Sequence, residues 1–233
     1  MTAGGGKVAL VTGGGRRIGA AISRSLAKAG YAVVLTYRSS RREADALAGE
    51  IGGTGLFLDL ARPASFRPFA DRLRRSHRRL DLVVHNAAVF PRTPVDALSP
   101  EAWGAVFAVN LRGPLLLTRA LLPLLRRSPG GGVVFLGDAN AGRMWPAYLP
   151  YCCSKIALER LAGELRRSLP PGIRSAVVRP GLALAPPGFP RERWERLRTE
   201  GKRRGIGSPE GVARAVLRFA KGGDYNSLTS HPK

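Results

Sequence analysis

The sequence predicts a single-domain α/β fold, with a doubly wound parallel sheet flanked by helices. Three observations carry this. Short apolar, β-branched runs alternate with longer helical patterns along all 233 residues. A glycine-rich turn, Thr12 to Gly19, separates the first run from the first helical stretch. A Tyr-x-x-x-Lys pair, Tyr151 and Lys155, sits in a later helical stretch. Strands that alternate with crossover helices pair in parallel, and both faces of such a sheet become covered. No internal repeat or long linker interrupts the alternation.

In order, Lys7 to Thr12 (KVALVT) is the first strand, followed by a helix from about Arg17 to Ala29 that Gly30 ends as a C-cap. The second strand is Tyr31 to Tyr37, and a helix spans about Arg41 to Glu50. Gly55 to Leu58 forms the third strand. Pro63 suits the first turn of a helix that runs to about Ser76. Leu80 to His85 is the fourth strand, Ser99-Pro100-Glu101 opens a helix, and Leu111 to Arg127 is a long apolar one. Gly132 to Leu136 is the fifth strand, Tyr148 to Leu169 a helix, and Ile173 to Val178 the sixth strand. Ser208-Pro209-Glu210 starts the last helix, to about Lys221. Periodicity does not give the order of the strands in the sheet.

Composition narrows the functional classes. Hydrophobic residues make up 44% of the chain, enough for one large core. No apolar run reaches the roughly 18 residues that a bilayer span requires. The N-terminal residues Met1 to Gly6 lack the pattern of a signal peptide, so a cytoplasmic location is expected. The adjacent cysteines Cys152 and Cys153 suggest no disulfide framework, and His77, His85 and His231 are scattered, so no metal site is expected. The net charge is +22, but the arginines are spread along the chain without interleaved aromatics. Nonspecific binding to nucleic acid at low salt is expected, and specific binding is not. A positive field also draws anionic cofactors and substrates.

The segment TGGGRRIG lies where a strand hands over to a helix. Glycines there permit a tight turn and close approach of the backbone to a pyrophosphate, which the helix N-terminus attracts. At the end of the second strand an acidic residue would hold the ribose hydroxyls of NAD. This chain has Tyr37-Arg38-Ser39 instead, and a guanidinium binds a 2′-phosphate that a carboxylate would repel, so NADP(H) is the expected cofactor. Arg41 and Arg42 read as a solvated helix face. Asp59 either accepts a hydrogen bond from the adenine or caps the segment that follows it. Asn86-Ala87-Ala88 ends the fourth strand, at the sheet edge where ligands bind in such folds.

Tyr151 and Lys155 are four residues apart and share a helix face. An ammonium nearby is expected to lower the phenol's pKa from about 10, which makes tyrosine useful for proton transfer at neutral pH.

With these motifs in hand, the chain resembles the short-chain dehydrogenase/reductase family, whose fold is Rossmann-like, over about residues 7 to 222. The matching elements are TGGGRRIG, LDL, HNAA, Asn110 of VNLRGP, YCCSK and the RPG at Arg179 to Gly181. The resemblance implies that Gly13, Arg17, Ile18, Gly19, Tyr37, Arg38, Ser39, Asp59, Leu60, Asn86, Ala87, Ala88, Tyr151, Lys155, Pro180 and Gly181 meet the cofactor. It implies that Tyr151 and Lys155 are catalytic and that Asn110 supports a proton relay.

Three departures narrow the resemblance. Arg17 replaces the central glycine of the turn, Asp138 stands where a serine is usual, and Phe90 follows Asn86 by four residues. Together these are similar to the pteridine reductases and dihydromonapterin reductases. That likeness implies that Arg17, Phe90, Asp138 and Tyr151 contact a flat pterin, with Phe90 stacked on it and Asp138 paired to Tyr151. The implied reaction adds hydride to a ring C=N and a proton to nitrogen. The alternatives are an NADPH-dependent carbonyl reductase, acting on a 3-oxoacyl or other ketone, and a non-catalytic NADPH-binding relative.

The segment Gly181 to Arg198 reads as a loop over the substrate. Trp145 and Trp194 are pocket or packing residues. The finish GGDYNSLTSHPK lacks the last strand and Gly-rich ending that the resemblance implies, so the C-terminus is expected to be short. The resemblance also implies a homodimer or homotetramer, through the helices at Leu111 to Arg127 and Tyr148 to Leu169.

Overall fold

The apolar runs become one six-stranded sheet, every strand parallel to its neighbours, in the order β3-β2-β1-β4-β5-β6. The computed structural model describes residues 6–143, 147–185, 188–200 and 205–223. The strands are β1 (Val8–Val11), β2 (Ala32–Tyr37), β3 (Thr54–Phe57), β4 (Leu82–His85), β5 (Gly132–Leu136) and β6 (Arg174–Val178). The helices are α1 (Arg17–Lys28), α2 (Arg41–Ile51), α3 (Phe66–Ser76), α4 (Pro100–Phe107), α5 (Gly113–Leu125), α6 (Leu149–Ser168), α7 (Arg191–Glu200) and α8 (Pro209–Ala220).

Strand residues alternate between two apolar layers. Leu10, Val83, Val133 and Val177 pack with Phe66, Leu73, Leu117, Leu121 and Leu158 of α3, α5 and α6. Ala9, Val11, Val84, Val134 and Val178 pack on the other face with Ile22, Leu26, Val212, Val216 and Phe219 of α1 and α8. Burial on both faces is why the strands read as continuous apolar runs rather than alternating ones. β1 is central, with β2 on one side and β4 on the other. The chain therefore reverses its direction of progress between β1 and β4, and the carboxyl ends of these strands open the crevice where such folds bind ligands.

Strand ends differ from expectation by one or two residues, as frayed ends do. Three differences are larger. Pro63–Ser65 forms a 3₁₀ turn before α3. α4 and α5 are one uninterrupted run, joined by a π-helical turn at Ala108–Arg112. This run, Pro100–Leu125, is 26 residues long and, by length and composition alone, apolar enough to cross a membrane, contrary to the sequence reading. Half of its most apolar window is buried, with Leu117, Leu121, Leu124 and Leu125 in the core, so its apolarity faces the sheet. Lastly, the segment read as a substrate loop contains α7 (RERWERLRTE). α7 buries Trp194 but is otherwise mostly charged, so no apolar period announces it. Trp145 and the finish from Asp224 onward lie outside the described residues.

Candidate active site

A cleft of about 1300 Å³ runs along the carboxyl ends of the strands. Its lining includes Gly13, Arg17, Ile18, Gly19, Tyr37, Arg38, Ser39, Asp59, Leu60, Asn86, Ala87, Ala88, Phe90, Asp138, Tyr151, Lys155, Pro180 and Gly181. The structure thus brings every sequence-predicted site residue except Asn110 to one cavity.

At the nucleotide end, the turn after β1 is tied to the end of β4. Asn86 Nδ2 donates to the carbonyls of Thr12 (2.9 Å) and Gly13 (3.0 Å), while Thr12 Oγ1 accepts from the amides of Asn86 (3.0 Å) and Ala87 (3.1 Å). A Cβ at Gly19 would lie 2.2 Å from the Gly13 carbonyl oxygen, so only glycine keeps α1 this close to the turn. Arg17 opens α1 with φ of 55°, the one non-glycine residue with positive φ among the described residues. It occupies a conformation that glycine would take without strain, and its Nη2 reaches the Ala185 carbonyl at 2.5 Å. Burial, and then the charge of Arg16, lower the Arg17 pKa.

Arg38 and Ser39, at the end of β2, line the cleft where the 2′-phosphate of NADP(H) is expected, and Arg16 adds a cation there that the sequence reading did not assign. Asp59 caps its own turn, accepting from Ala61 N at 2.9 Å, and lies 3.6 Å from Arg62. It also lines the cleft. Glycine-lined turn, small strand-end residues and cations without an acidic residue at the end of β2 together fit NADP(H).

At the other end, Tyr151 donates its hydroxyl proton to Asp138 Oδ2 at 2.8 Å, and Asp138 Oδ1 accepts from Asn140 N at 2.7 Å. Lys155 is buried, and its Nζ donates to the Leu136 carbonyl at 2.7 Å. Burial pushes the Asp138 carboxyl up, against its hydrogen bonds from Asn140 and Tyr151 and the charge of Lys155. Burial likewise lowers Lys155 to about 8. The expectation that Lys155 lowers the Tyr151 pKa is not met. Burial, followed by the Asp138 carboxylate, raises it well above its ordinary value. The ammonium lies over the ring, 5.8 Å from its centroid, whereas the carboxylate holds the hydroxyl directly. Tyr151 therefore keeps its proton at neutral pH, which suits a donor rather than a base.

Phe90 stacks on Tyr148 (centroids 4.2 Å apart, 10° between planes) and meets Tyr151 edge-on at 4.4 Å. Tyr148 was missed in the sequence, although its i−3 spacing from Tyr151 places it on the same helical face. Asn110 lies behind the cleft in the π turn. Its amide clamps the Val89 backbone, accepting from Val89 N (2.9 Å) and donating to Val89 O (3.0 Å), and it donates to Ser154 Oγ (3.1 Å). It thus anchors the strand end that carries Asn86 and Phe90 to the helix that carries Tyr151.

Arg17→Gly separates strain from recognition. It is expected to stabilise the unliganded protein by about 1 kcal/mol, because an L-residue in the left-handed region costs roughly that much. It is also expected to raise the KM for NADPH. Thermal unfolding and initial rates on one preparation check both.

Comparison with known proteins gives the family. Residues 7–193 match the family described as short chain dehydrogenase. A putative ketoacyl reductase of the granaticin polyketide synthase of Streptomyces violaceoruber is 31% identical over 219 residues, covering 90% of this chain and 88% of its own. A short chain dehydrogenase from Burkholderia cenocepacia, solved in complex with NADP, superposes with a TM-score of 0.82 at 32% identity, covering 92% of this chain and 90% of its own. FolM alternative dihydrofolate reductase 1 from Brucella canis, also solved with NADP, superposes with a TM-score of 0.82 at 30% identity, covering 96% and 89%. With its Rossmann-like sheet, its dinucleotide cleft and its Tyr151–Lys155 pair, the chain belongs to the short-chain dehydrogenase family and is an oxidoreductase.

Proposed function

We propose that the protein is an NADPH-dependent reductase of a pterin-type ring, either a dihydropterin or a dihydrofolate. The observation that carries this reading is the Tyr151–Asp138 pair at 2.8 Å, with the Phe90 ring against it. A serine at position 138 would hold a carbonyl oxygen by hydrogen bonding alone. A buried carboxyl whose pKa is raised by burial, and which is hydrogen-bonded to the tyrosine, can relay a proton, which suits a substrate whose ring nitrogen must gain one. Cofactor bound in the cleft supplies the hydride. Tyr151 gives its proton to the substrate nitrogen, and a proton from solvent returns to it by way of Asp138. Lys155 holds the cofactor ribose and balances the charge around the pair. Asn110 keeps the strand end in register with α6. Phe90, stacked on Tyr148 and edge-on to Tyr151, lines the cleft as an aromatic wall that suits a flat ring. Arg92 and Arg193 also line the cleft, which favours a substrate that carries negative charge.

The test is NADPH oxidation with dihydrobiopterin and dihydrofolate against a panel of simple ketones, with NADH in parallel. Pterin turnover that prefers NADPH is expected. Asp138→Ser is expected to lose pterin turnover by about two orders of magnitude, the lower end of the range typical of general acid catalysis, and to gain activity on ketones. Turnover of ketones alone by the unmodified protein would replace this reading with that of a carbonyl reductase, an activity class found among its relatives. Silence on every substrate, with NADPH still bound, would make it a non-catalytic relative. The reading places the enzyme in the cytoplasm as a homo-oligomer that pairs through α5 and α6, where the exposed Ile156 lies on the outer side of α6.

A further inference from the structure

We propose that Glu159 is a positioning residue, tying together the three structural elements that carry the proton-handling groups and the cofactor-facing loop. The inference rests on the roles given above to Tyr151, Lys155 and Asp138. Tyr151, Lys155 and Glu159 succeed one another at intervals of four along α6, so they share one face. Glu159 Oε1 accepts the amide of Asp138 at 3.2 Å, and its Oε2 accepts Arg179 Nε at 2.7 Å. One carboxylate thereby bridges α6, the end of β5 and the end of β6, just before Pro180 and Gly181. The two strand ends are themselves joined, Gly137 N to Val178 O at 2.9 Å and Ala139 N to Pro180 O at 3.0 Å.

The space for this carboxylate is built in. A Cβ at Gly137 would lie 2.4 Å from Glu159 Oε1 and 3.0 Å from its Cδ, so a side chain there would push the carboxylate out of this position. The Glu159 and Arg179 side chains are 19% and 33% exposed, which keeps the pair partly shielded from solvent. The ionisable groups around this centre are Tyr151, Cys152, Lys155 and Glu159 from α6, Asp138 after β5 and Arg179 after β6. The π turn, which also packs on α6, presents the uncharged Asn110. The negative charge of Glu159 raises the pKa of Asp138, Tyr151 and Lys155 alike, so it favours the proton-loaded form of all three.

Glu159→Gln keeps an oxygen for the Asp138 amide and removes the charge. NADPH binding, followed by its fluorescence, is expected to weaken as Lys155 loses its proton above about pH 8. In Glu159→Gln that alkaline fall is expected to move to lower pH by roughly 0.5–1 unit, the size of shift a nearby charge produces. Arg179→Gln leaves the carboxylate without its counter-charge and is expected to move the fall the other way, which carries the test if Glu159→Gln does not fold. Glu159→Asp retains charge with shorter reach, so its fall should stay near that of the unmodified protein while kcat drops severalfold. Unchanged titrations in both Glu159→Gln and Arg179→Gln would overturn the proposal. Because the titration uses NADPH alone, it stands whether or not pterins prove to be substrates.

Discussion

Replacing Tyr151 by phenylalanine is expected to lower kcat by 10² to 10⁴, the usual contribution of a positioned general acid. Its hydroxyl carries a proton and donates directly to the Asp138 carboxylate, at 2.8 Å. The ring itself keeps its edge-on contact with Phe90, so the aromatic wall survives the change. NADPH affinity should hold within a few fold, since Arg38, Asn86 and Lys155 are untouched. A fall in kcat without a matching change in the NADPH dissociation constant is the signature to look for. Turnover within threefold of the unmodified protein would remove Tyr151 from the mechanism and leave Asp138, acting through water, as the donor.

Acidification is expected to destabilise the protein through His85, which lies far from any solvent. Its Nε2 lies 2.8 Å from Thr118 Oγ1, and that hydroxyl already donates its only proton to Pro114 O at 2.8 Å. The imidazole must therefore donate from Nε2, which leaves Nδ1 as a buried acceptor without a partner among the described residues. Stacked on Phe135 at 4.9 Å, the ring cannot take up a second proton cheaply, and burial lowers its pKa from 6.5 to about 3. Between those values the unfolded chain binds a proton that the folded one refuses, so stability falls as pH falls. The slope approaches about 1.4 kcal/mol per pH unit, or roughly 5 kcal/mol across the whole interval. Asp138 works in the opposite direction, because its raised pKa makes the folded form bind protons more readily. Urea unfolding at pH 7 and pH 4.5, with and without His85→Gln, isolates the histidine. The unmodified protein should lose about 2–3 kcal/mol more than the variant. Equal losses would show that His85 can be protonated in place.

Much of this was legible in the sequence because its signals are local. Strand and helix alternation, the turn from Thr12 to Gly19 and the Tyr151–Lys155 spacing each depend on residues a few positions apart. Strand order was not legible, since nothing in β4 states that it pairs with β1 rather than β3. α7 was hidden for a different reason: a charged helix that buries little besides Trp194 has no apolar period to find. Position 138 was readable as an acid, but not that burial would raise its pKa, or that the same carboxylate would raise Tyr151 against the influence of Lys155. Those are consequences of depth and of contacts between residues 13 apart. Glu159 lay within reach of the same helical spacing that identified Lys155. What the spacing could not supply was its partner, Arg179, at the end of another strand.

The packing of α1 against α8 also bears on how the chain is made. Ile22 and Leu26 share their apolar cluster with Val212, Val216 and Phe219, about 190 residues further along. A growing chain that has released α1 and β1 therefore holds a greasy stripe that early strands cover only in part until the helix ending at Ala220 emerges. At translation speeds of 5–20 residues per second that interval is on the order of 10–40 s, long enough for encounters with other nascent chains. The half of the sheet from β1 to β3 can pair early. The face against α8 is sealed last, so it is the part of the young chain most open to off-pathway contact.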